Sequence, residues 1–244
     1  MDGEHGMKII ATVRTLNEST HIDKFCKNYS QFADQILVAD GGSTDNTVLI
    51  AKEFPKVKVR PYWKKVKCEN EIWRNPDGPH IQFLIDWAIE EGADWIVHQD
   101  CDQRPNKYLK EEIREILPET DKDFIMVTQI FFWGADMYLP KLSRAGDGWM
   151  QGLWAWRAKA GIKIIDRMPH YTFSFDGEHL LDLDKSGRDL RILPPKCFMH
   201  FGWPTEERVQ EHINYYRSSG LIEGMVHPLQ FGGAPSLIES WMVE

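Results

Sequence analysis

"DWIVHQDCDQRPN", residues 94 to 106, drives an apolar run straight into two aspartates separated by one cysteine. Trp95, Ile96 and Val97 are bulky and β-prone, the composition of a short strand buried on both faces. Along an extended backbone, residues two apart point to the same side, so Asp100 and Asp102 are expected to present their carboxylates to one place. Two carboxylates held together repel, and one is pushed to keep its proton unless a cation compensates. A hard divalent ion, Mn2+ or Mg2+, meets that need through oxygen ligands, with a phosphate as a further partner. The plainer alternative is a helix cap with an ion pair to Arg104.

Working back from this stretch, KIIATV (8 to 13), QILVAD (35 to 40) and VKVRPYW (57 to 63, interrupted by Pro61) read as strands. Between them, IDKFCKNYSQFA places Ile22, Phe25, Cys26, Tyr29 and Phe32 at helical spacing. TVLIAKEF (47 to 54) reads as a helix that Thr44 or Asp45 can cap. IQFLIDWAIEEG (81 to 92) is a helix with a glycine stop. The order β-α-β-α-β-loop-α-β builds a parallel sheet covered by helices on both faces. Ligands of such sheets gather at the carboxyl ends of the strands, here Arg14 to Glu18, Asp40 to Asp45 and Asp100 to Asp102.

Working forward, YLKEEIREIL (108 to 117) is an amphipathic helix, and then the alternation fades. DFIMVTQIFFW (123 to 133), WMQGLWAWRA (149 to 158) and KCFMHFGW (196 to 203) read as strands. TEERVQEHINYYRSSG (205 to 220) reads as a helix with acids in its first turn. With no repeat or low-complexity linker, residues 1–244 are expected to form one domain.

The composition narrows the function classes. At 244 residues, 42% hydrophobic, the chain can bury a full core. A net charge of -8 disfavours general nucleic-acid binding. A local basic cluster (Lys56, Lys58, Arg60, Lys64, Lys65, Lys67, Arg74) reads either as a solvated edge or as a seat for an anion such as a diphosphate. Cys26, Cys68, Cys101 and Cys197 form no C-x-x-C pair, which fits a reducing compartment. No apolar run is long enough to span a membrane and the first residues are not a secretory signal. The expected location is cytoplasmic, with peripheral attachment at the inner membrane face as the variant. Ten tryptophans exceed the usual number for this length, and any in loops suit stacking on sugar rings.

RTLNES, then VADGGSTDNT, then WAIEEGADWIVHQDCD together resemble the family 2 glycosyltransferases. The resemblance covers about residues 7 to 106 and implies a GT-A fold: a Rossmann-like, mostly parallel sheet flanked by helices, with an irregular α+β second half. It divides the chain into a nucleotide-sugar-binding half (7–106) and an acceptor-binding half (107–244). It implies a UDP- or GDP-sugar donor and a carbohydrate or glycolipid-type acceptor. Arg14, Thr15, Asn17 and Glu18 would contact the nucleoside, Asp40 the base, and Asp100 and Cys101 the ribose region. Asp100, Asp102 and His200 would hold Mn2+ or Mg2+. His80 and Gln82 stand where relatives hold a polar residue facing the donor; an ordinary helix start is the alternative. His200 alone would read as a core histidine, and Trp203 beside it closes over a ligand or packs.

An inverting transfer needs a base within reach of the acceptor hydroxyl. Glu178 is the first candidate, then Asp176, then Asp147; the Glu-Asp pair of many relatives is missing. A nucleotidyltransferase would show a glycine-rich first turn, which RTLNES lacks. A phosphohydrolase using Asp100 as nucleophile would need groups that QRPNKY does not offer. A sugar- or nucleotide-binding domain without transfer activity is the non-enzymatic alternative.

Overall fold

The computed structural model describes residues 6–62, 66–67, 73–74, 77–134, 136–141, 143–145, 148–167, 170–175, 178–179, 187–203, 205–207, 209–210, 213–214 and 234–242. Its first half alternates as the sequence implies: β1 (Ile9–Thr15), α1 (Ile22–Tyr29), β2 (Gln35–Asp40), α2 (Thr47–Lys52), β3 (Val57–Pro61), α3 (Asp77–Glu90) and β4 (Trp95–His98). The four strands are parallel, in the order β3-β2-β1-β4.

Both faces of this sheet are covered, which is why the strands read as continuous apolar runs. Ile9, Ala11 and Val13 of β1, Ile36 and Val38 of β2, and Trp95 and Val97 of β4 join α1 in one core. The alternate residues Ile10, Leu37, Ala39 and Ile96 pack under α3 with Ile81, Leu84, Ile85 and Ala88. Helix α3 begins at Asp77, four residues before the expected Ile81. Pro79 fits there, since a first-turn proline gives up no intrahelical hydrogen bond.

The main elements of the second half are β5 (Gln103–Pro105), α4 (Lys107–Glu119), β6 (Phe124–Trp133), β7 (Met137–Tyr138), β8 (Gln151–Arg157), β9 (Ile162–Arg167), β10 (His170–Phe175), β11 (Glu178–His179), β12 (Asp189–Trp203) and β13 (Ser236–Leu237). The large sheet runs β13-β7-β6-β8-β4-β1-β2-β3. β8 enters it antiparallel to both β4 and β6, so strand direction reverses beside the Asp-x-Asp turn. β12 pairs parallel with β6 and antiparallel with β5, and β9-β10-β11 form a separate antiparallel sheet. Ile162, Phe173 and Phe175 of that sheet enter the core under α3.

Strand β12 starts earlier than the expected Lys196, and its register on β6 shifts between Ile192 and Cys197, around Pro194 and Pro195. Asn106, fully buried, holds this irregular stretch. Its Nδ2 donates to the Pro195 carbonyl at 2.7 Å, while its Oδ1 accepts from Leu109 N (3.1 Å) at the start of α4 and from Cys197 N (3.3 Å). Of the expected helix at 205–220, residues 205–207, 209–210 and 213–214 are described; 205 lies in a bend and the others are helical.

Candidate active site

The first two strand-end turns are tied to each other. Asn17, at φ 58°, takes the left-handed backbone that asparagine tolerates better than most residues. Its amide donates to Ser43 Oγ (2.9 Å) and its Oδ1 accepts from Thr44 N (2.8 Å). Glu18 N donates to Thr47 Oγ1 at 2.7 Å, and Ser19 N to Asp45 Oδ2 at 3.1 Å. Asp45 does not sit at the N-cap, which is Asn46, but its Oδ1 accepts from Thr47 N. Although desolvation works the other way, the donors on Thr47 and Ser19 hold the Asp45 carboxyl down at about 2.

Asp40 is buried at the end of β2 and accepts from Thr15 Oγ1, Gly42 N, Ser43 N and Ser43 Oγ. A carboxylate offers about four lone-pair positions, so this one is occupied in shaping the turn. The nucleobase contact expected of it would displace one of those donors.

β4 ends at His98, before Asp100, and a turn closed by Gln103 N to Asp100 O (2.9 Å) follows. The two aspartates are therefore set by a turn, not by strand periodicity, and they face different partners. The rungs between β1 and β4 continue outward: Thr12 Oγ1 meets His98 Nδ1 at 2.9 Å, and Arg14 Nε donates to Asp100 Oδ1 at 3.1 Å. Arg14 Nη1 also pairs with Asp77, the first residue of α3, which no motif in the sequence singles out. Asp102 Oδ2 lies 3.3 Å from His200 Nε2. Burial alone would lower the pKa of His200, but the charge and hydrogen bond of Asp102, with Asp100 behind it, carry the net shift upward.

Gly202 makes that pairing possible. A Cβ there would stand 2.9 Å from His200 Nε2 and 3.1 Å from Asp102 Oδ2. A carboxylate oxygen and an imidazole nitrogen facing one another over a cradle that a methyl group would fill suit a divalent ion. Among the described residues, no three His, Cys, Asp or Glu side chains are already grouped around one point, because Asp100 faces Arg14.

Other expected residues serve the frame. His80 is buried, stacks on Tyr62 at 4.3 Å, and donates from Nε2 to the Ala39 carbonyl at 2.9 Å. Burial first, and Arg14 further, bring its pKa down to about 4 against the pull of Ala39 and Asp40. Gln82 ties α3 to β9: its Oε1 accepts from Ile164 N at 3.0 Å and its Nε2 donates to Asp86. Cys101 is buried in the core, where desolvation raises its pKa. In the basic cluster, Lys56 donates to the Ser30 and Ala33 carbonyls, Lys58 pairs with Glu91, and Arg60 pairs with Glu90 over the Trp87 ring. Lys64 and Lys65 lie outside the described residues, as do Asp147 and Asp176. Glu178 is described through its backbone alone, paired with Phe175.

A cleft of about 150 Å3 opens beside Asp100, lined by Gln99, Gln103, Gln129, Gly152, Phe173 and Phe198 among others. Gly152 lets it form, since a Cβ there would meet Phe198 Cζ at 2.8 Å and Gln129 Oε1 at 3.3 Å. Sequence reasoning missed Asp77, Gln129, Gly152 and Gly202. Of these, Gly152 and Gly202 carried a signal, as a glycine within a strand often marks a close approach.

A parallel nucleotide-type half, a reversed strand and an Asp-x-Asp turn at their seam are the architecture of the GT-A fold, which known glycosyltransferases share. No family model matches the chain. It is 30% identical over 127 residues to an uncharacterized glycosyltransferase of Rickettsia bellii, covering 50% of this chain and 37% of that one. It is 26% identical over 231 residues to an uncharacterized protein of Mycobacterium tuberculosis, covering 86% of this chain and 50% of that one. A third relative, the lipopolysaccharide core biosynthesis glycosyltransferase LpsC of Rhizobium meliloti, is 26% identical over 116 residues, 48% of this chain and 39% of its own. The chain thus spans about half the length, or less, of the curated relatives it matches. Among solved structures, S. aureus TarS 1–349 in complex with UDP-GlcNAc superposes with a TM-score of 0.58 at 12% identity, covering 90% of this chain and 68% of that one. Glucosyl-3-phosphoglycerate synthase of M. tuberculosis with Mn2+, UDP and phosphoglyceric acid gives 0.50 at 15% identity, covering 90% and 81%. At these identities the structural likeness speaks for the fold. Among the described residues, no helix is long and apolar enough to cross a membrane.

Proposed function

We propose that this domain transfers a sugar from a nucleoside-diphosphate sugar, a UDP-sugar first among them, to an acceptor hydroxyl, with divalent-metal assistance and inversion at the anomeric carbon. The observation that carries this reading is the Asp100–Cys101–Asp102 turn at the carboxyl end of β4, with Asp102 against His200 and a space kept clear by Gly202. The solved neighbours with UDP-GlcNAc, and with Mn2+ and UDP, support the donor class and the ion.

The roles follow from position. The tied turns of Thr15 to Glu18 and Asp40 to Thr47 form the wall for the nucleoside, with Asp40 keeping its shape. Asp102 and His200, joined by Asp100, hold Mn2+ or Mg2+. When bound, the ion offsets the negative charge that develops on the departing diphosphate. The cleft beside Asp100 seats the transferred sugar. Gln99, Gln103 and Gln129 supply amides for hydroxyls, and Phe173 and Phe198 supply apolar faces. The acceptor half supplies the base from Glu178, Asp176 or Asp147. The name of LpsC supports a lipid-linked saccharide as acceptor.

The test pairs binding with chemistry. Wild-type protein with Mn2+ and a panel of UDP- and GDP-sugars should release nucleoside diphosphate, and Asp102→Asn should cut that release by about 100-fold or more while the fold persists. Full activity of Asp102→Asn would remove the metal-site argument. An NMR assignment of the product's anomeric configuration decides inversion.

A further inference from the structure

We propose that Arg14 is a built-in counter-cation for Asp100, tethered by Asp77, which gives up this carboxylate to the arriving metal and turns to the diphosphate of the donor. The inference rests on the donor-site reading above and adds to it a coupling between metal and nucleotide.

The observations are direct. Arg14 extends the row of β1 side chains that meets β4, one rung beyond Thr12 and His98. Its Nε donates to Asp100 Oδ1 at 3.1 Å and its Nη1 pairs with Asp77. All three side chains are partly exposed, between 21% and 35%, so the group faces the solvent-filled end of the sheet. A guanidinium is a planar fork that is always charged, and it can keep one carboxylate while changing its second partner. Asp77 is the fixed partner because it stands on the first turn of α3, whose buried face locks that helix to the sheet. Asp77 is thus a positioning residue.

The coupling follows from charge. With Arg14 on Asp100, a divalent ion approaching the same carboxylate meets a neighbouring positive charge, so the ion alone binds weakly. A diphosphate attracts both the ion and the guanidinium, so it strengthens metal binding, and by linkage the metal strengthens nucleotide binding by the same factor. Removing the guanidinium should therefore move the two affinities in opposite directions. A purely structural role for Arg14 would weaken both.

The experiment titrates the full chain with Mn2+ alone, following free Mn2+ by electron paramagnetic resonance, and with UDP at saturating Mn2+ by calorimetry. Arg14→Gln is expected to bind Mn2+ alone about threefold to tenfold tighter and UDP about tenfold weaker, collapsing the coupling. Asp77→Asn should weaken UDP without tightening Mn2+, and Asp77→Glu should restore UDP binding. Arg14→Lys, which keeps the charge and the fold, should retain the weak binding of Mn2+ alone. The proposal is overturned if Arg14→Gln weakens both ligands together, or leaves both within twofold of wild type. Wild-type protein that retains no Mn2+ even with UDP present would overturn the donor-site reading, and this inference with it.

Discussion

Gly202 shows how much a missing side chain can do. It holds no ligand, yet the distances around its absent Cβ fix whether Asp102 and His200 can share one space. Gly202→Ala is expected to drive the His200 ring or the Asp102 carboxylate aside while leaving the strand intact. Mn2+ affinity and transfer should both fall by about tenfold or more, with the melting temperature within a few degrees of wild type. Retained Mn2+ affinity in that variant would place the ion elsewhere. His80 teaches the opposite lesson. The resemblance suggested a donor contact for it, with an ordinary helix start as the alternative; its ring is stacked on Tyr62 and bonded to the Ala39 carbonyl. The sequence shows a polar residue at a helix start; it does not show which way a helix turns that residue.

At the scale of elements, the buried parallel strands were the most readable part. QILVAD is β2 residue for residue, because a run of bulky apolar residues bounded by Asp34 and Gly41 has few other stable forms. Less readable was the stretch around Pro194 and Pro195, which continues a strand across a register shift. Asn106 replaces the lost ladder contacts there while capping α4. Asn106→Ala would leave the Cys197 N–H and the Leu109 N–H without that acceptor. The expected cost is about 2 kcal/mol or more of folding stability, measured by urea unfolding. A loss below about 0.5 kcal/mol would mean that α4 and β12 are held by packing alone.

For the whole molecule, the pattern of what was legible follows the physics of the two halves. The first half is local: each strand-loop-helix unit carries its own punctuation, and the turns RTLNES, GGSTDNT and QDCDQ fall at the same end of a parallel sheet by topology alone. The second half is assembled from non-local pairs such as β12 with β6 and β8 with β4, whose registers no short motif encodes. The site therefore came through mainly as residues of the first half, with His200 from the second, while Asp77 and Gln129 became visible only in three dimensions. The stability of the whole should also report a buried histidine. His80 holds a pKa near 4 in the fold, below its ordinary 6.5, so the unfolded chain binds the extra proton between those values. Its contribution is complete above about pH 6.5 and is lost as pH falls toward 4, amounting to about 3 kcal/mol at the limit. Melting temperature against pH should decline through this window in the wild type, with a shallower slope in His80→Gln; equal slopes would assign the acid sensitivity to other groups.

The stitching of the Asn17 turn to the Thr44 turn has one more effect. Because Ser43, Thr44, Asp45 and Thr47 already clasp the chain from Asn17 to Ser19, a nucleoside arriving at this edge finds a finished surface. In the donor-site reading proposed above, little ordering entropy is then charged to its arrival.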